Sequence, residues 1–112
     1  MPRTNLGEFE ELVLLIVAIL NDNAYGVAVM EEIENQTERK INISAVHTAL
    51  DRLEKKGFLK SNVGGATGER GGRRKRYFEV TDLGVQAIQM TRKMRNDLYD
   101  QIPKVVLSEI NG

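Results

Sequence analysis

Residues 42–57, with the sequence NISAVHTALDRLEKKG, decide the fold of this chain. Asn42 can accept a hydrogen bond from the first turn of a helix, and Gly57 can end one. Between them, apolar residues recur at the i, i+3, i+4, i+7 spacing that gives a helix one apolar face: Val46, Ala49, Leu50 and Leu53. The pattern predicts an amphipathic helix from Ile43 to Lys56.

The opposite face of this helix carries small or hydrogen-bonding side chains. A helix that enters the major groove of DNA presents such residues, near its N-terminus, to the edges of bases. Asp51, farther along, would repel phosphate unless Lys55 neutralises it. The candidate DNA-contacting residues of this helix are Ser44, Ala45, His47, Thr48 and Arg52.

Two short strand-like stretches follow, Leu59–Val63 and Arg76–Val80. The connection between them, residues 64–75, reads GGATGERGGRRK and holds five of the ten glycines, which is typical of a long hairpin loop. Positive charge is concentrated at its end, against a single Glu69. Arginine suits phosphate and the narrow minor groove, so we interpret the loop as a DNA-contacting wing. Its candidate residues are Arg70, Arg73, Arg74, Lys75 and Arg76.

Two helices precede this unit and one follows it. The first is predicted at about residues 6–20 with Asn5 as its cap, and the second from about Tyr25 to Gln36. Helix, helix, helix, hairpin is the order of a winged helix-turn-helix. The last helix starts after Thr81, continues to at least Tyr99, and is interrupted at Pro103.

The last helix has an apolar stripe that is too long for so small a domain to bury. We therefore expect a helix of a partner chain to cover it. We therefore expect a mainly α fold with a small β-hairpin, a winged helix-turn-helix in residues 1–80 and a C-terminal dimerisation helix and tail in 81–112. The predicted dimer-interface residues are Leu83, Ala87, Met90, Met94 and Leu98.

Length and composition restrict the class of protein further. A chain of 112 residues with 41% hydrophobic and 29% charged residues is an ordinary single globular domain. It has no cysteine, and its longest apolar run, Leu12–Leu20, is too short for a transmembrane helix. Without a secretory signal pattern at its start, the chain is expected to be cytoplasmic, with no membrane partner.

The net charge of zero hides an asymmetry along the chain. Residues 1–36 carry a net charge of −6, residues 37–80 carry +6, and residues 81–112 carry none. Such a basic middle segment indicates contact with a polyanion on one face of the molecule.

The sequence gives little support for an enzyme or for a metal-binding protein. No nucleophile, base and acid occur at a plausible spacing, and residues 64–72 do not match the phosphate-binding loop GxxxxGK[ST]. A single histidine without cysteine makes a poor metal site. We expect no cofactor. Tyr25 is more consistent with a core residue than with a ligand site, and one of Tyr77 and Phe78 should point inward.

The chain resembles the PadR-type winged-helix transcriptional regulators, specifically the short kind with a single C-terminal helix. The resemblance spans about residues 6–90 and is carried by several short motifs that are specific together. They are Glu11-Leu12-Val13-Leu14, Tyr25-Gly26, Ala49-Leu50-Asp51-Arg52-Leu53-Glu54-Lys55-Lys56-Gly57, Arg73-Arg74-Lys75-Arg76-Tyr77-Phe78 and Leu83-Gly84.

This resemblance implies a homodimer that represses transcription by binding a palindromic operator in double-stranded DNA. It also implies that the C-terminal helix and the first helix build the dimer contact. Some members release DNA when a small phenolic or drug-like effector binds. The chain departs from the family at His47, where many relatives have tyrosine, and at Ile43-Ser44, where many have Pro-Gly. With no tryptophan, it offers no residue to which effector binding can be assigned.

Two alternatives remain open from the residues themselves. A winged-helix protein-interaction module could use the basic wing to contact an acidic protein, and an RNA-binding winged helix could use it to contact RNA. Sequence preference on duplex DNA distinguishes them, because only groove readout separates one duplex sequence from another.

Overall fold

A computed structural model describes residues 6–64 and 74–110 of the chain. It contains five α-helices and a two-stranded antiparallel sheet within these residues. The elements are α1 (Glu8–Leu20), α2 (Gly26–Thr37), α3 (Ile43–Lys55), β1 (Leu59–Val63), β2 (Arg76–Val80), α4 (Asp82–Asp100) and α5 (Lys104–Ile110). This order confirms the predicted mainly α fold with a small β-hairpin.

Helix α3 forms as its sequence predicts. The side chain of Asn42 accepts a hydrogen bond from the backbone N–H of Ser44, with 2.7 Å between N and Oδ1. Beyond the last turn, Gly57 adopts a positive φ of 84°, which suits glycine at a helix end. The helix ends at Lys55, one residue before the predicted end.

The first helix begins later than predicted. The structure starts α1 at Glu8, and the residue before it is Gly7, so the prediction that Asn5 caps this helix is wrong. Glycine has no side chain to accept a hydrogen bond. Three acidic residues in the first turn instead suit the positive end of the helix dipole: Glu8, Glu10 and Glu11.

The core lies where α1, α2 and α3 meet the hairpin. The apolar stripe of α3 is buried there, at 4% exposure or less for each side chain: Val46, Ala49, Leu50 and Leu53. It packs with Val13, Leu14 and Val17 of α1 and with Val29 and Ile33 of α2. With its apolar side buried, α3 has only its polar side left for solvent or a partner.

The hairpin is attached to the helices by backbone hydrogen bonds. Its register pairs Leu59 with Val80 at the base and Val63 with Arg76 toward the loop. The Phe78 N–H donates to the carbonyl of Ala24 at an N···O distance of 2.8 Å, beside a bridge between Tyr25 and Tyr77. The middle of β2 is therefore fixed to the residues that lead into α2.

Thr81 connects the hairpin, α3 and α4. Its hydroxyl accepts a hydrogen bond from the Gly84 N–H, as predicted for a cap, and donates to the carbonyl of Gly57. The backbone of Gly84 lies so close to Phe58 that a Cβ there would overlap the Phe58 carbonyl. Helix α4 consequently leaves the domain from a position fixed at its first turn.

The two halves of α4 have different surroundings. Gly84, Ala87 and Thr91 are buried against the rest of the protomer, whereas every residue from Arg92 to Asp100 is exposed. After Pro103 the chain turns into the short α5. Among residues 6–64 and 74–110, no helix combines the length and the apolar character needed to span a bilayer.

Candidate nucleic-acid interface

The N-terminal half of α3 forms an exposed polar surface. The structure leaves each of the predicted residues there open to solvent: Ser44, Ala45, His47 and Thr48. Their exposure follows from the burial of the apolar stripe on the opposite side of the same helix. Small hydroxyl, methyl and imidazole groups at this position can reach the edges of bases.

The imidazole of His47 lies on α2. A Cβ at Gly26 would come within 2.6 Å of His47 Cε1 and 3.3 Å of both ring nitrogens, so the absence of a side chain at Gly26 makes room for the ring. The ring thereby has a fixed neighbour although the residue is exposed. The sequence did not predict this contact between residues 26 and 47.

Arg52 lies farther along α3, where an acidic residue of α1 is its neighbour. The Glu10 carboxylate is 3.9 Å from Arg52 and 2.5 Å from Lys56, and the Glu10 side chain is only 12% exposed. The Arg52 side chain is itself 67% exposed. Glu10 therefore joins α1 to the C-terminal part of α3 and lies beside an arginine that remains accessible.

The predicted wing is described only at its two ends. Arg74 and Lys75 are exposed, whereas Arg70 and Arg73 lie outside the described residues. The Lys75 Nζ lies 4.3 Å above the centroid of the Tyr25 ring, a cation–π contact. Tyr25 also packs edge to face against Tyr77, with 5.6 Å between the ring centroids.

Tyr25 thus has a role that the sequence does not reveal. Tyr25 is half-buried, and its contact with Lys75 places that lysine beside the start of α2, next to Gly26. The Tyr25-Gly26 pair at a helix start is the one feature of the sequence that draws attention to Tyr25. Its contact with Lys75 forms only when the hairpin packs against residues 24–25. Of the two neighbouring aromatic residues on β2, Phe78 points inward, as predicted for one of them.

Arg76 differs from Arg74 and Lys75, the other described basic residues of the wing, because three polar side chains lie beside its guanidinium. Its Nη2 donates to Glu54 Oε1 at 2.5 Å, and its Nε donates to Ser61 Oγ at 2.9 Å. Asp51, whose predicted partner is Lys55, lies 3.9 Å from Arg76 Nη1. Arg76 is therefore at the base of the wing and in contact with α3.

The predicted dimer stripe on α4 is divided between two environments. Ala87 is 3% exposed and belongs to the core of the protomer, and Met90 is half-buried. Leu83, Met94 and Leu98 are 49%, 53% and 59% exposed. The free part of the stripe is thus mostly in the C-terminal half of α4.

A groove of about 270 Å³ runs between α1 and α4. Arg95 of α4 donates to Glu11 of α1 at one end, with 2.7 Å between Nη2 and Oε1, and this hydrogen bond raises the pKa of Arg95. The groove is lined by Glu11, Leu15, Ile88, Arg92, Arg95 and Asn96.

The chain is similar to a known protein family over most of its length. A family model described as the transcriptional regulator PadR-like family matches residues 14–90. A search of curated proteins found no match. The family is one of transcriptional regulators rather than enzymes, as the sequence predicts.

Several solved structures have the same fold. A PadR family transcription regulator from Clostridium difficile R20291 is 22% identical, with 95% of this chain and 100% of that chain covered and a TM-score of 0.71. One from Eggerthella lenta DSM 2243 is 23% identical, with 88% and 86% covered and a TM-score of 0.68. A PadR-like regulator from Bacillus cereus ATCC 14579 is 14% identical, with 93% and 92% covered and a TM-score of 0.69.

Substitution of Gly26 by alanine should move the His47 ring with little effect on stability. The added methyl group overlaps the imidazole, and an exposed side chain can relieve the overlap by changing rotamer. Because the chain has one histidine, its Hε1 proton gives one NMR resonance, which should shift in G26A. The free energy of unfolding should change by less than about 1 kcal/mol.

Gly7→Ala is the matched control, since nothing lies within 4 Å of a Cβ at that position. It should leave the histidine resonance in place. An unchanged resonance in G26A would show that the ring does not rest on Gly26 in solution.

Proposed function

The chain belongs to the PadR-like family of transcriptional regulators, and from that premise we propose that it is a homodimeric repressor that binds a palindromic operator. The observation that carries the proposal is that the exposed polar half of α3 and the basic residues Arg74 and Lys75 at the base of the wing belong to the same small domain. The protein would act in the cytoplasm, where its operator lies.

The two surfaces have complementary roles in this proposal. His47 and Thr48 would read base edges in the major groove, with Ser44, Ala45 and Arg52 beside them. Arg74 and Lys75 would bind phosphates, as would Arg70 and Arg73 farther along the wing. Base contacts determine which sequence is bound, and phosphate contacts supply most of the affinity and its salt dependence.

The exposed half of α4 supports a dimer. Met94 and Leu98 continue the stripe on which Ala87 and Thr91 are buried, because residues 87, 91, 94 and 98 are spaced as i, i+4, i+7 and i+11. Helix α1 adds Ile19, which is 58% exposed. A second copy of the chain would cover these side chains and place two α3 helices in a symmetric pair.

Symmetry and occlusion explain the rest of the proposal. A dimer with two-fold symmetry presents the same reading surface twice, in inverted orientation, so it matches an inverted repeat in DNA. A protein that occupies both half-sites excludes other proteins from the same stretch of groove. We therefore propose that binding represses transcription from the occupied region.

Release by a small-molecule effector is the regulatory part of the proposal. The groove between α1 and α4 is favoured as the effector site, because it separates the winged-helix part from the helix that would hold the partner. An effector that binds there and favours another angle of α4 would change the distance between the two α3 helices. The effector would bind more tightly to the arrangement of α4 that does not fit DNA than to the one that does. At saturating effector, DNA affinity would fall by the ratio of these two effector affinities.

Replacement of His47 or Thr48 by alanine should weaken operator binding selectively. Each substitution should cost roughly 1–3 kcal/mol on the preferred duplex, since a base-edge contact is lost, and should barely affect a scrambled duplex. The preferred duplex is obtained by selection from a random library, and affinities are measured by fluorescence anisotropy. Wild-type affinity in both variants would place the reading surface elsewhere, with Ser44 and Arg52 next to be tested.

Replacement of both Arg74 and Lys75 by glutamine should weaken binding to every duplex about equally. If both residues contact phosphate in each subunit, four contacts are lost, and the slope of log K against log salt should flatten by about 3 to 4. Lys93→Gln, which removes an exposed charge from α4, is the control and should change the slope little. A loss confined to the preferred duplex, or an unchanged slope, would favour the protein-interaction alternative.

Introduction of charge on the free stripe of α4 should separate the subunits. Met94→Glu with Leu98→Glu should convert a dimer at micromolar concentration into a monomer that stays folded, because both side chains are more than half exposed in the protomer. Sedimentation gives the oligomeric state, and DNA binding should weaken with it. Lys93→Glu with Asp97→Lys, on the charged side of the same helix segment, is the control. A wild-type monomer at high concentration would contradict the proposal.

A further inference from the structure

Arg76 is the basic residue of the hairpin with the most complete set of partners among the described residues. Its guanidinium donates to Glu54 and to Ser61, lies 3.9 Å from Asp51, and is centred 5.2 Å from the Phe78 ring. A guanidinium has five N–H groups in a rigid planar arrangement, so these partners fix its orientation. Arg74 and Lys75, two residues and one residue before it, are exposed, and the Arg76 side chain is itself 51% exposed, so its set of partners is what distinguishes it.

The Glu54 carboxylate uses both of its oxygens in this cluster. Oε1 accepts from Arg76, and Oε2 accepts from Ser61 Oγ at 2.7 Å. Ser61 in turn accepts from Arg76 Nε. The hydrogen bonds therefore close a ring of three side chains from α3, β1 and β2, which we call the Glu54–Ser61–Arg76 ring.

The ring joins the two surfaces that contact DNA in the proposed function. Glu54 is one turn past Asp51 on α3, the helix that carries His47, and Arg76 is the first residue of β2, directly after Arg74 and Lys75. A charge-assisted hydrogen bond is about twice as strong as a neutral one and has a narrower geometry. The ring can therefore hold Arg74 and Lys75, at the described end of the wing, at one position relative to α3.

We propose that Arg76 is a positioning residue, which orients the wing relative to the recognition face of α3 through Glu54 and does not itself contact phosphate. The inference rests on the proposed function, because it concerns how the two DNA-contacting surfaces are aligned. The Arg76 side chain is half exposed, but its Nη2 and Nε already donate to Glu54 and Ser61. Transfer of these donors to a phosphate would leave the Glu54 and Asp51 carboxylates near DNA without their cation. That exchange gains one favourable charge contact and creates two repulsive ones.

Glu54→Gln gives opposite results for the two roles of Arg76. Removal of a negative charge near DNA normally strengthens binding, and release of Arg76 toward phosphate would strengthen it further. If Arg76 acts through Glu54, the variant should instead bind about tenfold more weakly, because the wing loses its alignment. Glu79→Gln is the matched control, since Glu79 lies on the same hairpin and is paired with Lys60, away from α3.

Arg76→Lys separates charge from geometry. Lysine keeps the positive charge but cannot donate to Glu54 and Ser61 in the fixed planar arrangement of arginine. Arg76→Gln, which removes the charge as well, is measured beside it. A positioning role predicts that R76K binds DNA as weakly as R76Q. It also predicts that the slope of log K against log salt changes no more in R76Q than in the control Lys60→Gln. A phosphate contact predicts that R76K keeps wild-type affinity and that R76Q flattens the slope by about 2 per dimer.

Ser61→Ala tests the ring without any change in charge. It removes the hydroxyl between Arg76 and Glu54 and should weaken binding several-fold in the same direction as E54Q. Thermal unfolding and sedimentation of each variant show whether the fold and the oligomeric state are kept. If E54Q does not fold, S61A and R76K still decide between the two roles.

Affinities are measured across a salt series on a duplex selected from a random library and on a scrambled duplex. Weaker binding of E54Q, S61A and R76K supports the inference, whereas E54Q that binds as well as or better than wild type overturns it. R76K with wild-type affinity also overturns it. A wild-type protein that binds the selected and scrambled duplexes equally counts against the proposed function. In that case, a fall or a rise in the affinity of E54Q for either duplex still tests the role of Arg76.

Discussion

Burial of the apolar stripe of α3 is the interaction on which the rest of the structure depends. Val46, Leu50 and Leu53 have no exposed surface, and they fill the space between α1 and α2. Each buried side chain of this size contributes about 1.5–3 kcal/mol relative to an exposed one. Because the stripe fixes the rotation of α3 about its axis, it also determines that Ser44, His47 and Thr48 face outward. The outward orientation of these three residues is thus a consequence of the core.

Acidic residues complete the arrangement by holding specific basic side chains in place. Glu10 pairs with Lys56 and lies near Arg52, while Glu54 engages Arg76. Part of the positive charge of residues 37–80 is thereby neutralised within the protein, and exposed Arg74 and Lys75 retain theirs. Net charge along the sequence overstates the charge available to a polyanion, since ion pairs between distant segments remove some of it.

Local signals predicted the elements, and non-local contacts account for what was missed. The cap at Asn42, the cap at Thr81 and both strands lie at their predicted positions, because each depends on residues close together in the chain. The start of α1 was misplaced, since Asn5 and Glu8 resemble a capping pair although the helix begins at Glu8. The contacts of Arg76 with Glu54, 22 residues apart, and of Lys75 with Tyr25 require the folded hairpin. No periodicity in the sequence encodes them.

The division of α4 into a buried half and an exposed half has a consequence for the proposed dimer. Gly84, Ala87 and Thr91 are buried within the chain's own fold, whereas the side chains of Met94, Leu98 and Tyr99 are each more than half exposed. In the proposed dimer, changes confined to the exposed half would therefore alter which chains pair with each other. Such a change in pairing would require no change in α3.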